Sequence, residues 1–313
     1  MGNIKKSKQA AATFLLMLAA FIWGTAFVAQ SNGLKLVGNF TFLALRSYLA
    51  VVVLLPVSYI IYKNGKRKNG NGAHNENKSF IYKRLMLGGV LCGGSVCLAS
   101  LVQQYGIMMS SVGKSGFLTT LYILMVPLIG LLLGKKVKPI LWVCIAIATC
   151  GMYFLCVTDV GGIGVGDILL ILCALLFAIQ IVIVDHFVET VEPVRLSLVQ
   201  FGVSAVIATV GAVAFEEISL QAILQAWVPI CYAGILSSGI AFTLQIVAQK
   251  NLNPTVASLI MSLESVFAAL AGAFFGERLS SNELLGCVLV FLAIVIAQLP
   301  VDGLFKKIKI KKI

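Results

Sequence analysis

A glutamate and an arginine lie inside long apolar stretches of the chain, where charged side chains are rare. Glu264 is near the middle of residues 255–276, and Arg46 is about a third of the way into residues 39–62. Because an acid at mid-membrane depth costs at least about 2.5 kcal/mol, Glu264 must face a cavity, pair with a partner or be protonated. It could carry a proton, contact a substrate or bond to a neighbouring helix. Arg46 is permanently charged and could hold a substrate carboxylate, pair with an acid or extend toward the membrane surface.

Four uncharged residues could complete a substrate site with these two charges. Gln103 and Gln245 are 142 residues apart, and the same offset pairs Tyr122 with Glu264, so these pairs occupy matching positions. Trp23 lies at mid-depth in the first apolar stretch, away from the membrane surface that tryptophan usually prefers. These residues could line a cavity or pack between helices, since amides in a bilayer often bond across helices. The same alternatives apply to three more glutamines: Gln30, Gln180 and Gln200.

The composition of the chain indicates an integral membrane protein. Hydrophobic residues make up 59% of the 313 residues and charged residues only 12%, about half of the roughly 25% that is usual in soluble domains. The net charge of +12 does not favour nucleic-acid binding, because the basic residues form short clusters between apolar runs instead of a face interleaved with aromatic side chains. Basic clusters of this kind are typical of cytoplasmic loops.

The apolar stretches predict an all-α integral membrane protein with ten transmembrane helices. Each stretch is continuous and approaches the roughly 20 residues that a helix needs to cross the hydrocarbon core, whereas β-barrel strands would alternate over about 10 residues. The predicted spans are 12–31, 39–62, 84–105, 113–134, 139–157, 166–185, 195–215, 227–248, 255–276 and 283–300. Twenty of the 24 lysines and arginines then fall on one side of the membrane. By the positive-inside rule we expect both termini in the cytoplasm and the protein in the inner (cytoplasmic) membrane.

The chain is predicted to consist of two repeats, residues 10–157 and 165–300. Because each repeat has five spans, the second would be inverted relative to the first, which is typical of alternating-access carriers with a site near the midplane. Residues 63–83 are predicted to form a flexible cytoplasmic loop and residues 301–313 a basic cytoplasmic tail. Glycines spaced four residues apart are expected to let helices pack closely. They are Gly89 and Gly93, Gly130 and Gly134, and Gly272 and Gly276.

No pattern in the sequence points to an enzyme, a metal site or a cofactor. The eight cysteines lie in apolar segments without a CxxC pair, so we expect them to be packing residues. Gly113-Lys114-Ser115 matches the end of a P-loop, but Met108 stands where that motif requires glycine. Neither a nucleophile with its base nor a set of metal ligands is found at membrane depth, and no ATP site is expected.

Four segments carry the motifs of a known family: Ser262–Gly272, Gly276–Ser280, Phe21–Gly24 and Leu45–Arg46. They resemble the EamA-type branch of the drug/metabolite transporter superfamily, and the resemblance extends over nearly the whole chain. It implies a ten-helix bundle around a central cavity that opens to each side in turn. Members typically move small metabolites, including amino acids and related compounds, and often export them. The chain departs from the family pattern at Ser265, where many members have proline, and at Lys135, where many have glutamate.

We predict a secondary transporter that exports small metabolites such as amino acids or related compounds by alternating access. Transport could be coupled to protons. Its partners would be a small-molecule substrate and the lipid bilayer, without nucleic acid, and a homodimer is left open. Two alternatives are a lipid or glycolipid flippase-like carrier of the same superfamily and a non-transporting membrane scaffold.

Overall fold

A computed structural model of the protein describes residues 2–69, 75–110, 112–156, 164–274 and 280–298. All secondary structure in these ranges is helical, which confirms the all-α prediction. Helices satisfy their own backbone hydrogen bonds, as a chain surrounded by hydrocarbon must. The α-helices are α1 (Gly2–Gly33), α2 (Asn39–Asn69), α3 (Asn75–Met108), α4 (Val112–Thr120), α5 (Tyr122–Leu132), α6 (Pro139–Cys156), α7 (Val165–Val188), α8 (Pro193–Phe215), α9 (Leu220–Gln225), α10 (Trp227–Cys231), α11 (Phe242–Gln249), α12 (Pro254–Met261), α13 (Leu263–Phe274) and α14 (Ser281–Gln298). A π-helix, Tyr232–Ala241, joins α10 to α11.

Eight segments of the described chain are long and apolar enough to cross a membrane. They correspond to the predicted spans one to four and six to nine. The other two predicted spans, 139–157 and 283–300, coincide with shorter apolar helices, Pro139–Phe154 and Leu284–Ala297. The protein is therefore a multi-pass membrane protein.

The connection between the second and third spans differs from the predicted flexible loop 63–83. Helix α2 continues to Asn69 and α3 begins at Asn75, and residues 70–74 lie outside the described part of the chain. Lysine and arginine are good helix formers, so a basic segment that follows an apolar span can continue its helix. The predicted tail, residues 301–313, also lies outside the described residues.

The bundle buries polar side chains and exposes large apolar ones. Phe14, Val52 and Val210 are each more than half exposed on the outer surface, which suits contact with lipid. Many amides and hydroxyls are buried instead, together with the two charges predicted to matter, Arg46 and Glu264. Polar groups inside membrane bundles typically face the bundle interior or a cavity.

Contacts between the first half (α1–α6) and the second half (α7–α14) are reciprocal. Helix α1 packs against α13, and in the same way α7 packs against α4 and α5. Helix α3 packs against α8, and the π-helix packs against α2. The pairs α2–α8 and α6–α14 each join corresponding helices of the two halves. Each main contact from a span of the first half to a span of the second half therefore has a counterpart from the corresponding span of the second half to the corresponding span of the first.

Glu216 joins the end of α8 to the start of α2. Its carboxylate accepts hydrogen bonds from the backbone nitrogens of Phe40 and Thr41, at 2.7 and 2.8 Å, and from the Thr41 hydroxyl at 2.7 Å. Amides at the start of a helix have no partner within the helix, and the helix dipole favours a negative charge there. Glu216 therefore acts as a cap for α2 supplied by another helix.

Replacing Glu216 with alanine is expected to lower the stability of the protein by about 1–2 kcal/mol, because the start of α2 loses its cap. Thermal unfolding in detergent micelles, followed by circular dichroism, measures this effect. Glu217→Ala is the matched control, since the Glu217 side chain is exposed next to it. Equal melting temperatures for the two variants would contradict the capping role.

Candidate functional site

A cavity lies between the helices of both halves. Its walls come from α1, α2, α3, α4, α5, α7, the π-helix, α11, α12 and α13. About 50 Å³ of it can hold the centre of a water-sized molecule, which is room for a few waters at roughly 10–15 Å³ each. The lining residues are Trp23, Phe27, Gln30, Arg46, Ser100, Gln103, Thr119, Tyr122, Phe177, Gln180, Ile181, Ser237, Phe242, Gln245, Met261 and Glu264. All six residues that the sequence singled out for substrate or coupling roles are among them.

Two of the spans around the cavity have an irregular turn at nearly matching places. The turn in the first half is at Leu121, between α4 and α5, and the turn in the second half is at Ser262, between α12 and α13. The backbone stays helical at both residues, but hydrogen bonds three residues apart replace part of the α-helical pattern. Tyr122 begins α5, and Glu264 lies in the first turn of α13, so both candidate residues directly follow these turns.

Hydroxyl side chains near the irregular turns form hydrogen bonds with backbone carbonyls. The Thr120 hydroxyl donates to the carbonyl oxygens of Gly116 and Phe117, at 3.0 and 2.8 Å. The Ser262 hydroxyl donates to the carbonyl oxygen of Leu259 at 2.7 Å. Such bonds within a helix tend to bend it. The irregular turn in the second half thus forms with Ser265, and not proline, after the glutamate.

Glu264 is buried at the cavity wall, with 4% of its surface exposed. The nearest polar group to its carboxyl is the Tyr122 hydroxyl, which interacts with it both electrostatically and as a loose hydrogen-bond partner. By strict hydrogen-bond geometry the Glu264 Oε1 atom and the Tyr122 hydroxyl are still unsatisfied among the described residues, and so is Trp23 Nε1. Leaving buried polar groups poorly paired costs free energy. The Glu264–Tyr122 pair and Trp23 Nε1 are therefore the groups of this cavity wall that a ligand or water would satisfy.

Helix α1 approaches α13 closely at Gly24. A Cβ atom at this position would lie 2.6 Å from the carbonyl oxygen of Glu264 and 2.8 Å from the backbone nitrogen of Ala268. Small residues allow such backbone contacts in membranes. Nearby, the rings of Phe21 and Phe267 meet edge to face, with centroids 5.3 Å apart. The absence of a side chain at Gly24 thus helps set where Glu264 sits.

Arg46 is also buried at the cavity wall, and neutral groups hold its guanidinium. Its Nε donates to the Ser238 hydroxyl at 2.9 Å, Nη1 to Gln30 Oε1 at 2.8 Å and Nη2 to the Ser237 hydroxyl at 3.0 Å. Within the described chain, the carboxylate–cation pairs closer than 4.0 Å do not include Arg46. The arginine is therefore fixed in place but not neutralised by an acid.

The two serines reach Arg46 because span eight contains the π-helix. Ser237 and Ser238 both lie in that segment, and π-helices are frequent at functional sites. Gly234 lets the π-helix pack onto α2, since a Cβ there would be 2.6 Å from Leu49 Cβ and 3.1 Å from the Arg46 carbonyl oxygen. The local backbone thus brings adjacent serines to the same guanidinium.

Hydrogen-bonded glutamines lead away from the cavity. Gln245 Nε2 donates to Gln180 Oε1 at 3.1 Å and to Gln249 Oε1 at 3.0 Å, and Gln180 Nε2 donates to Gln200 Oε1 at 3.1 Å. Gln249 also lines a second, polar pocket that contains Lys135 and Asp185. The amide chain therefore lies between the cavity and that pocket.

Gln103, the counterpart of Gln245, makes a weaker contact. Its Nε2 lies 3.5 Å from the Thr119 hydroxyl, at the long end of hydrogen-bond distances. The structure thus gives the two glutamines different surroundings, although their positions in the two halves correspond.

Two ion pairs join the halves at opposite ends of the same spans. Lys114, in α4, pairs with Asp167, in α7, at 2.6 Å. Lys135, just after α5, pairs with Asp185 near the end of α7. The span formed by α4 and α5 therefore runs in the same direction as α7, with a charged contact at each end of the cavity region.

The predicted packing glycines of the third span lie at a close helix contact. A Cβ at Gly93 would be 2.6 Å from the Gln200 carbonyl oxygen and 2.7 Å from Val203 Cβ. A Cβ at Gly89 would be 2.6 Å from Val199 Cβ. These glycines face α8, as close packing of small residues requires.

The other glycine pairs have different surroundings. The nearest atom to a Cβ at Gly130 would be Lys135 Cβ at 3.9 Å, an ordinary contact. Gly134 follows α5 with a φ of +76° and no atom within 4 Å of a Cβ position, so glycine there allows the left-handed end of a helix. Gly272 lies on α13, and Gly276 lies outside the described residues.

Several lining residues were not among the predicted site. Phe242 forms much of the apolar wall, with ring centroids 4.9 Å from Trp23 and 6.4 Å from Phe177. Thr119 and Ser237 carried no signal, because single hydroxyls are common in apolar spans. Within the described residues, no group of three or more His, Cys, Asp or Glu side chains could hold a metal ion.

Comparisons with known proteins agree with this architecture. The model of the EamA-like transporter family matches residues 10–157 and 164–298. An uncharacterized transporter of Archaeoglobus fulgidus is 28% identical over 308 residues, which cover 96% of this chain and 90% of that protein. A protein of known crystal structure shares the fold, with a TM-score of 0.73 at 17% identity over 94% of this chain and 99% of its own. The names of the family and of the archaeal relative both indicate a transporter and not an enzyme. The chain is therefore a membrane-spanning member of the EamA-like transporter family.

Proposed function

We propose that the protein is a secondary transporter that exports small metabolites, such as amino acids or related compounds, across the cytoplasmic membrane. The observation that carries this proposal is the cavity between the two halves, which gathers Glu264, Arg46 and the four uncharged candidates. Buried charges in a membrane bundle mark substrate or ion pathways by default. Glu264 would be the protonatable group and Arg46 the fixed positive charge.

We further propose ten membrane crossings arranged as two inverted five-span repeats with both termini in the cytoplasm. The eight long apolar helices and the two shorter ones together give ten. The two family matches, 10–157 and 164–298, and the reciprocal contacts between the halves support the repeat. The distribution of lysine and arginine supports the orientation.

Transport would follow from rocking of the two halves around the cavity. Lys114 and Asp167 would hold the halves together at the outer end of spans four and six, and Lys135 and Asp185 at the cytoplasmic end. Each pair joins one half to the other, so opening one side requires one pair to separate.

Removing one ion pair is expected to favour opening on its own side. A partly buried pair is worth about 1 kcal/mol, which corresponds to about a fivefold change in the ratio of conformations. In a cysteine-free background with Met261→Cys as the cavity reporter, Asp185→Asn should raise labelling by a membrane-impermeant thiol reagent from the cytoplasmic side. Asp167→Asn should raise it from the opposite side. Labelling that changes equally from both sides in either variant would exclude this gating role.

Extracellular metabolite profiling tests the proposed function. Cells that express the protein are compared with cells that lack it and with cells that express Glu264→Gln at matched membrane levels. We expect at least one small metabolite to accumulate outside only with the unchanged protein. Equal profiles with and without the protein across growth conditions would contradict export, whereas equal accumulation with both proteins would contradict only the role of Glu264.

A further inference from the structure

A cation is buried at the cavity wall without an acid beside it. Arg46 is 3% exposed, and its partners Gln30, Ser237 and Ser238 are all neutral. Burying a charge is costly unless it is paired. These neighbours therefore hold the Arg46 guanidinium in place, but none of them neutralises its positive charge.

The guanidinium has hydrogen-bond capacity to spare. It carries five N–H groups, and the described contacts use one on Nε, one on Nη1 and one on Nη2. One N–H group remains on each terminal nitrogen. Two N–H groups of one planar guanidinium match the two oxygens of a carboxylate.

We infer that Arg46 is the residue that recognises the substrate, by binding a carboxylate group of the transported molecule. This inference rests on the proposed transport function. Among the described residues that line the cavity, Arg46 is the one cation and Glu264 the one acid. A single positive charge matches a carboxylate, whereas a phosphate monoester would bring a second negative charge into a cavity that already holds an acid.

The neighbours of Arg46 also fix the orientation of its guanidinium. Three hydrogen bonds from two helices fix the plane of the guanidinium, so little side-chain entropy remains to be lost when a carboxylate binds. Phe242 and Trp23 form an apolar wall of the same cavity. The substrate class is thus a small organic acid, amino acids included, whose remaining part contacts aromatic rings.

Trp23 offers a direct optical readout of binding. The chain has three tryptophans, and Trp142 and Trp227 do not line the cavity. A protein with Trp142→Phe and Trp227→Phe, reconstituted in nanodiscs, therefore reports on the cavity through Trp23 alone. The probes are the common amino acids, the corresponding amino acid amides and inorganic phosphate.

We expect at least one amino acid to change the Trp23 fluorescence with an affinity about 10- to 100-fold higher than that of its amide, as loss of charge-assisted hydrogen bonds implies. This comparison needs no change at Arg46, so it does not depend on the folding of an arginine variant. In addition, Arg46→Lys should reduce the preference for the acid over the amide, whereas Arg195→Lys should preserve it. Arg195 is a suitable control because its guanidinium lies over the Tyr62 ring at 4.8 Å, away from the cavity lining.

Equal affinities for acids and amides, tighter binding of phosphate, or no response to any acid would each overturn the inference. These outcomes are separable from failure of the proposed function. Export in cells together with equal binding of acids and amides would refute carboxylate recognition alone. Preferential acid binding without export of any metabolite would refute transport and leave the Arg46 site standing.

Discussion

Glu264→Gln is expected to abolish net export, with a loss of at least about tenfold in the initial rate. Glutamine has nearly the same size as glutamate but neither the charge nor the proton that the side chain could carry. Glu264 is the one acid among the described cavity residues, so no neighbouring carboxylate can substitute for it. Export of the metabolite identified by profiling, measured in cells at two external pH values, records the effect.

The matched control for Glu264→Gln is Glu217→Gln, which makes the same chemical change at an exposed position. This control should export at the unchanged rate and retain any dependence on pH. Pulse labelling and membrane fractionation show whether both variants reach the membrane in equal amounts. Normal, pH-dependent export by Glu264→Gln at equal membrane levels would exclude a proton-carrying role.

Gly24→Val is expected to have the second large effect, through packing and not through charge. A Cβ at Gly24 would lie 2.6 Å from the Glu264 carbonyl oxygen and 2.7 Å from Phe267 Cβ, so a branched side chain must push α1 away from α13. Overpacking of this kind costs about 1–3 kcal/mol and would displace Trp23 and Glu264 from each other. We expect export to fall at least about tenfold and the melting temperature to decrease.

Gly94→Val provides the control for this packing effect. Gly94 lies on α3, and a Cβ there would have no atom within 4 Å. The same glycine-to-valine change in a helix should therefore leave export largely intact. If both variants export equally well, close contact at Gly24 is not what positions Glu264.

The charged residues of the candidate site can be identified from the sequence because charged side chains are rare in membrane-spanning segments. A glutamate or arginine in an apolar stretch stands out without knowledge of the fold, and the 142-residue offset added Gln103, Tyr122 and Gln245 to the set. All of these residues line the same cavity. Their roles in transport remain predictions for the experiments above.

The backbone features that shape the site are harder to predict. The irregular turn at Ser262 accompanies a serine hydroxyl that bonds to a backbone carbonyl, and serines are common in regular helices too. The π-helix has no sequence pattern that distinguishes it from an α-helix of the same composition. The sequence therefore predicts regular α-helices at 113–134, 227–248 and 255–276, where the structure has helices with local irregularities.

The partners of the cavity residues depend on packing between distant segments. Gln30 and Arg46 are close in sequence, but the serines that complete the Arg46 site are about 190 residues further along. Glu216 likewise caps a helix far from it in sequence. Neither contact has a local pattern that a single sequence could reveal.

The most direct test of alternating access around this cavity is exchange in proteoliposomes. Purified protein is reconstituted, the vesicles are loaded with the unlabelled metabolite identified by profiling, and uptake of the labelled metabolite is followed without a pH gradient. We predict that internal substrate accelerates uptake of the label, and that Met261→Trp, which fills the cavity, removes the acceleration. Uptake that is indifferent to internal substrate, or an unchanged acceleration in Met261→Trp, would contradict transport through this cavity.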